Sequence, residues 1–350
     1  MGETRFDRFL VGDLLGRGGS GSVYAARDGD GTEVALKILH DALGSDPEVV
    51  ERFRREALFA ARIRSEFIAP VVASGCAEGS KLWIAYPLLR GETLHARIGR
   101  ERVLVVGTVA PIIDHVLRGL DAAHNHGVIH RDVKPSNIFL VQRSPGVDRG
   151  CLLDFGISKY RPSQEGATSM VSLTSTLATL GTVTYMPPEQ FDNAANADVR
   201  ADLYAVAMVA FRCLTGVLPF PGKSATVILQ AKLCLPPRPL QKVTGVSWTK
   251  GADAFFERAL APEPDDRFAS ASEMQAAWRA LLEKPGWPHP GRFVADLVAE
   301  QQELLQLEAT VAEASLQETL ARRAGDSPNG SWRNDRQSGS RSPPGNQRPR

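Results

Sequence analysis

The chain has 350 residues, of which 43% are hydrophobic and 23% charged, and its formal net charge is +1. That length accommodates one large two-lobed domain with an appendage, or two domains, and the near-zero charge argues against a dedicated nucleic-acid or polyanion binder. Four scattered cysteines (Cys76, Cys151, Cys213 and Cys234) form no CxxC pair, so neither a zinc site nor a disulfide framework is expected, and a reducing, cytoplasmic setting fits. The opening MGETRF lacks the apolar core of a signal peptide, and the richest apolar stretches, Val103–Ile113 and Leu203–Leu214, read as buried helices too short to span a membrane.

In chain order, short apolar runs punctuated by glycine fill Phe9–Leu39. The DGDG stretch at Asp28–Gly31 predicts a turn joining strands at Ser22–Arg27 and Thr32–Leu39. Pro47–Arg64 carries helical periodicity. From Gly91 onward helical segments dominate, at Val109–His126, Ala201–Thr215, Ser224–Leu233 and Ser270–Leu282. The expectation is an α+β fold: a small antiparallel sheet with one helix, then a larger helical lobe. After Leu282 the run KPGWPHPG breaks any helix, which places a linker at 284–292. Residues 293–323 restart an amphipathic helix with Leu297, Leu304 and Val311 spaced by seven, but Gln301, Glu308 and Ser315 occupy the second seam, so a stable coiled coil is not expected. Two readings stay open there, a helix packed on its own domain or lying in solvent, and a face that takes a protein partner. Residues 324–350 lack the aliphatic content needed to offset ordering and read as a disordered tail.

Several stretches carry chemistry. In LGRGGSGSVY, Gly16, Gly18 and Gly21 form GxGxxG, where the missing Cβ atoms let backbone amides approach phosphate oxygens. The same pattern opens dinucleotide folds, but there a helix follows, whereas Ser22–Arg27 continues as strand. Lys37 interrupts the apolar strand VALKIL. On the following helix, Glu56 shares a face with Val49, Phe53, Phe59, Ala60 and Ile63 at 100° per residue, and a carboxylate stranded there needs a cation, for which Lys37 is the candidate. GVIHRDVKPSNIFL, Gly127–Leu140, sets His130, Arg131, Asp132, Lys134 and Asn137 on a loop gripped by apolar residues at both ends. CLLDFG then ends a short strand in Asp154, and SPGVDRG before it is expected to form an extended turn.

These motifs, in this order, resemble the protein kinase family, and GRGGSGSVY with GTVTYMPPEQ resembles its bacterial eukaryotic-like serine/threonine branch. The resemblance covers Phe9–Leu282 and implies a kinase domain at 9–283, with an N-lobe at 9–86, a hinge at 87–90 and a C-lobe at 91–283. It implies that Asp132 is the catalytic base, that Lys134 neutralises the transferring phosphoryl group, and that Thr182 contacts both. Asn137 and Asp154 are implied as Mg²⁺ ligands. ATP is expected against Leu15, Gly16, Gly18, Gly21, Val23, Ala35, Lys37 with Glu56, Tyr86, Pro87 and Leu89, with Tyr86 closing the rear of the adenine site. Serine or threonine hydroxyls of proteins are the implied acceptors, and a silent pseudokinase scaffold is the alternative. Arg131 is implied to pair with a phosphorylated loop residue, for which Thr174 and Thr176 are the candidates. Glu189 and Arg267 resemble the family's bracing ion pair, and Asp202 the residue that holds the catalytic loop. Pro187 and Pro87 depart from the family's usual residues.

Overall fold

The computed structural model describes residues 4–18, 21–40, 47–144, 147–155, 180–192, 197–222 and 224–288. Six antiparallel strands form the first sheet: β1 (Thr4–Phe6), β2 (Phe9–Gly18), β3 (Gly21–Arg27), β4 (Glu33–Leu39), β5 (Ala73–Ala77) and β6 (Lys81–Pro87), in spatial order β1-β2-β3-β4-β6-β5. The sheet therefore starts one strand before Phe9, the expected beginning of the domain. At the DGDG turn, Gly31 adopts φ 87° and its amide donates to the Asp28 carbonyl, a left-handed conformation natural to glycine. Alternation divides β4 and β6 between two cores. Val34, Leu36, Trp83 and Ala85 join Phe9 on one face, while Leu39, Leu82, Ile84 and Tyr86 join Phe53 and Cys151 on the other. That second face receives α1 (Pro47–Ala60), which stops at Ala60 rather than Arg64.

A three-stranded antiparallel sheet follows, made of β7 (Gly91–Thr93), β8 (Ile138–Ser144) and β9 (Val147–Leu152). SPGVDRG is thus a correction: most of it is ladder rather than extended turn, with Val141 opposite Arg149 and Leu140 opposite Gly150. Gly150 permits this, because a Cβ there would lie 3.3 Å from the Ile112 carbonyl oxygen. The helices are α2 (Leu94–Glu101), α3 (Val106–His124), α4 (Leu180–Tyr185), α5 (Glu189–Asp192), α6 (Val199–Thr215), α7 (Ala225–Cys234), α8 (Leu240–Thr244), α9 (Ala252–Ala259) and α10 (Ala271–Leu282).

Helix α6 is apolar around most of its circumference and is buried along nearly all of its length, so the helical lobe packs about it. Asp198 caps its start by accepting from the Arg200 amide, and Gly216, at φ 77°, ends it. Ser270 caps α10 in the same way by accepting from the Glu273 amide. Beyond α10 the chain turns back: Trp287 meets Trp248 and Trp278 at ring-centroid distances of 5.9 and 6.1 Å, and the Thr249 hydroxyl donates to the Pro285 carbonyl. The first part of the expected linker is therefore packed on the domain. The expected helix at 293–323 and the tail lie outside the described residues. No helix among the described residues is long and apolar enough to cross a membrane.

Candidate active site

Asp202, from the first turn of α6, organises the loop between α3 and β8. It is 1% exposed, and its two carboxylate oxygens accept from the His130 amide at 2.8 Å and the Arg131 amide at 2.7 Å, while His124 Nε2 lies 2.9 Å from Oδ2. Arg131 is thereby held at φ 61°. His130, fully buried, accepts at Nδ1 from the Asp132 amide at 3.3 Å, so its Nε2 carries the proton donated to the Leu153 carbonyl at 2.8 Å. The Leu153 amide donates in turn to the Asn137 carbonyl at 2.8 Å. These bonds lock the loop to the end of β9, and the His130 ring packs on Phe155 with centroids 4.7 Å apart.

The functional side chains follow from that frame. Asp132 Oδ2 receives Lys134 Nζ at 2.9 Å and Asn137 Nδ2 at 3.0 Å, and Asn137 Nδ2 also donates to the Asp132 carbonyl at 2.8 Å. Asp154, at φ 50°, sits just past β9, and its carboxylate takes Lys37 Nζ at 2.9 Å. Lys37 is 7% exposed on β4, opposite Ile84 and Val23. Among the described side chains Lys37 therefore pairs with Asp154; Glu56, its expected partner, lies on α1 with its side chain outside the described residues. Tyr86, opposite Ala35, is on the same face as Lys37. Burial and the neighbouring Asp154 carboxylate both raise the Tyr86 phenol well above its ordinary pKa.

Around this centre, Gly16 pairs with Val23 and Gly18 with Gly21 across the β2–β3 hairpin, and Leu15 is 52% exposed beside them. The three glycines differ in purpose. A Cβ on Gly21 would collide with the Ile38 carbonyl oxygen, so Gly21 serves strand packing, whereas one on Gly16 would meet nothing within 4 Å. Ala35 and Leu89 pack on the Tyr86 cluster, and Pro87 closes β6 opposite Val34. Thr182 lies on α4, its side chain outside the described residues, and Thr174 and Thr176 lie wholly outside them.

Tested against a divalent metal, the donors fit one that keeps water and substrate oxygens. Among the described residues no cluster of three His, Cys, Asp or Glu side chains forms a ready-made cage. Asn137 and Asp154 are instead brought together by the Leu153–Asn137 bond, an oxygen-donor pair suited to Mg²⁺. The open face at Gly16 similarly suits a phosphate chain.

The far side of the site is braced by Arg267, which is buried and grips Glu189 through two bonds of 2.8 and 2.9 Å, while also donating to the Ala261 and Pro262 carbonyls at 2.7 and 2.6 Å. The Pro187–Pro188 departure is accommodated, since both residues are buried and their carbonyls accept from the Gln190 and Phe191 amides. Sequence reasoning missed two members of this region. His124 stands in a helical pattern with no motif around it. Lys232 belongs to no motif, and its burial beside Ile228 and Ala231 emerges only from the fold.

Compared with known proteins, residues 9–279 match the family model for the protein kinase domain. The chain is 37% identical over 283 residues to serine/threonine-protein kinase pkn3 of Myxococcus xanthus, covering 80% of this chain and 51% of that protein. It is 35% identical over 302 residues to serine/threonine-protein kinase PknH of Mycobacterium tuberculosis, covering 86% and 45% respectively. The chain thus spans about half the length of the curated relatives it matches. Among solved structures, the crystal structure of the Mycobacterium tuberculosis PknI kinase domain is similar at a TM-score of 0.61 and 30% identity, over 80% of this chain and 99% of that one.

Proposed function

Since this chain belongs to the protein kinase family, and within it to the bacterial eukaryotic-like serine/threonine kinases, we propose that it transfers the γ-phosphate of ATP to serine or threonine hydroxyls of proteins. The observation that supports the reading is the pairing of Lys37 with Asp154 and of Lys134 and Asn137 with Asp132, the two groups linked by the Leu153–Asn137 backbone bond. In the proposed reaction the acceptor oxygen forms a bond to the γ-phosphorus as the bond from phosphorus to the β–γ bridging oxygen breaks. ADP leaves, and the hydroxyl proton passes to Asp132. Lys134, on the same carboxylate, offers positive charge to the transferring group, and Lys37 orients the nucleotide phosphates. A divalent metal held by Asn137 and Asp154 supplies charge neutralisation when bound.

Incubation of the chain with γ-labelled ATP, Mg²⁺ and a mixture of protein acceptors should yield labelled phosphoserine or phosphothreonine. Asp132→Asn should lower the rate by roughly 10²–10⁴-fold. Label on neither the chain nor any acceptor would refute the proposal. A scaffold without activity is not favoured, because Lys37, Asp132 and Asp154 are all present. We further propose that the chain phosphorylates Thr174 or Thr176 and that Arg131 pairs with the product. Mass spectrometry of active protein, with Asp132→Asn as control, should find phosphate at one of the two.

A further inference from the structure

Helix α7 carries a lysine with no access to water. Lys232 is 0% exposed, and its ammonium donates to the carbonyls of Val183, Thr184 and Met186 at 3.2, 2.8 and 2.5 Å. Three N–H donors thus meet three acceptors at the C-terminal end of α4, where a helix leaves carbonyls unpaired and favours a cation. The rings of Tyr204 and Phe191 stand 5.6 and 5.8 Å from Nζ, on α6 and α5. The charged groups that act on it are Glu189 and Arg267, already joined to each other. Burying an ammonium costs several kcal/mol, and an apolar side chain would fill the same space without that penalty. Burial draws the Lys232 pKa down to about 7, while the three carbonyls favour the charged form.

What the lysine holds lies next to the chemistry. Tyr185, Met186 and Pro187 line a hollow together with Arg131, Asp132 and Val133. The backbone of Met186 in that lining is held by Lys232, from a helix that contributes no lining residue to the hollow. We infer that Lys232 is a positioning residue of the acceptor site: its ammonium fixes the backbone of Val183–Met186 and so sets where the acceptor chain lies relative to Asp132. The inference rests on the kinase reading above. It assigns α7 a part in acceptor binding and none in nucleotide binding, which involves β2, β3, β4 and β6.

The test uses the full chain, wild type beside Lys232→Met, with ATP, Mg²⁺ and the best serine or threonine peptide from an arrayed library. Lys232→Met should raise the KM for the peptide roughly tenfold while the KM for ATP changes less than about twofold, and the array should show a broadened preference at positions flanking the hydroxyl. Lys232→Gln, which keeps two donors, should give an intermediate rise and replaces the Met variant if that one does not fold. An unchanged peptide KM in whichever variant folds, or a parallel rise in both KM values, overturns the inference alone. Absence of transfer by the wild type overturns the kinase reading and this inference with it.

Discussion

Arg131 and Asp154 both take positive φ angles, 61° and 50°, in a region that costs a non-glycine residue on the order of 1 kcal/mol or more. Asp202 favours the first, because its two oxygens accept from the consecutive amides of His130 and Arg131. Asp202→Ala should strand both donors, lowering stability by about 3 kcal/mol, or roughly 6–12 °C in Tm by calorimetry. A loss below ~1 kcal/mol would mean that the loop is held by other contacts. At this scale the site was largely legible, because Asp132, Lys134, Asn137 and Asp154 sit in short motifs whose order excludes coincidence. Lys232 was not, since a single lysine in ILQAKLC has the same one-dimensional appearance whether it faces water or backbone carbonyls. Nor could the sequence reveal the contact between Lys37 and Asp154, residues far apart in the chain.

Among elements, the β7–α2 corner is joined to the β8–β9 hairpin by charge in addition to the β7–β8 ladder and the apolar contacts of Leu94 and Ile98. Glu92 on β7 accepts from Arg97 at 2.6 Å and from Arg100 at 2.6 and 2.9 Å, and Arg97 reaches Asp148 on β9 at 2.9 Å. Hydrogen bonding by Arg100, and then by Arg97, lowers the Glu92 pKa from 4.5 to about 2 against the opposing effect of burial. A carboxylate with a depressed folded-state pKa adds stability that is complete above about pH 4.5 and is lost as pH falls toward 2. Wild type should therefore exceed Glu92→Gln by about 1–2 kcal/mol at pH 7, after allowance for solvent screening, and the gap in denaturant titrations should narrow progressively below pH 4.5. A gap independent of pH would refute the assignment. Long periodic elements such as α3, α6 and α10 were legible to within a few residues, as was the β3–β4 hairpin with its glycine turn. The short helices α2, α8 and α9 escaped because glycine and proline around them obscure any period. SPGVDRG was misjudged because its turn-forming composition occupies a strand that Gly150 lets press against α3.

For the molecule as a whole, the Lys37–Asp154 pair joins the first sheet to the end of the second, so nucleotide and metal bound there should stabilise both lobes at once. A non-hydrolysable ATP analogue with Mg²⁺ at about 100 times its Kd should add roughly 2.7 kcal/mol to unfolding, a rise of several degrees in Tm. A chelator should reverse most of it, and Lys37→Met should weaken it. A Tm unmoved by nucleotide and metal together would count against the cleft as the ATP site. The arrangement of aromatic residues also gives the protein a built-in optical reporter of its lobes. Trp248, Trp278 and Trp287 cluster within the helical lobe, whereas Trp83 lies in the first sheet against Phe9, its indole N–H bonded to Asp7 at 2.9 Å. With Trp332, which lies outside the described residues, replaced by phenylalanine, emission excited near 295 nm is therefore weighted toward the helical lobe, while backbone dichroism weighs both lobes. Divergence of the two signals during denaturation separates the melting of one lobe from that of the other without any added dye.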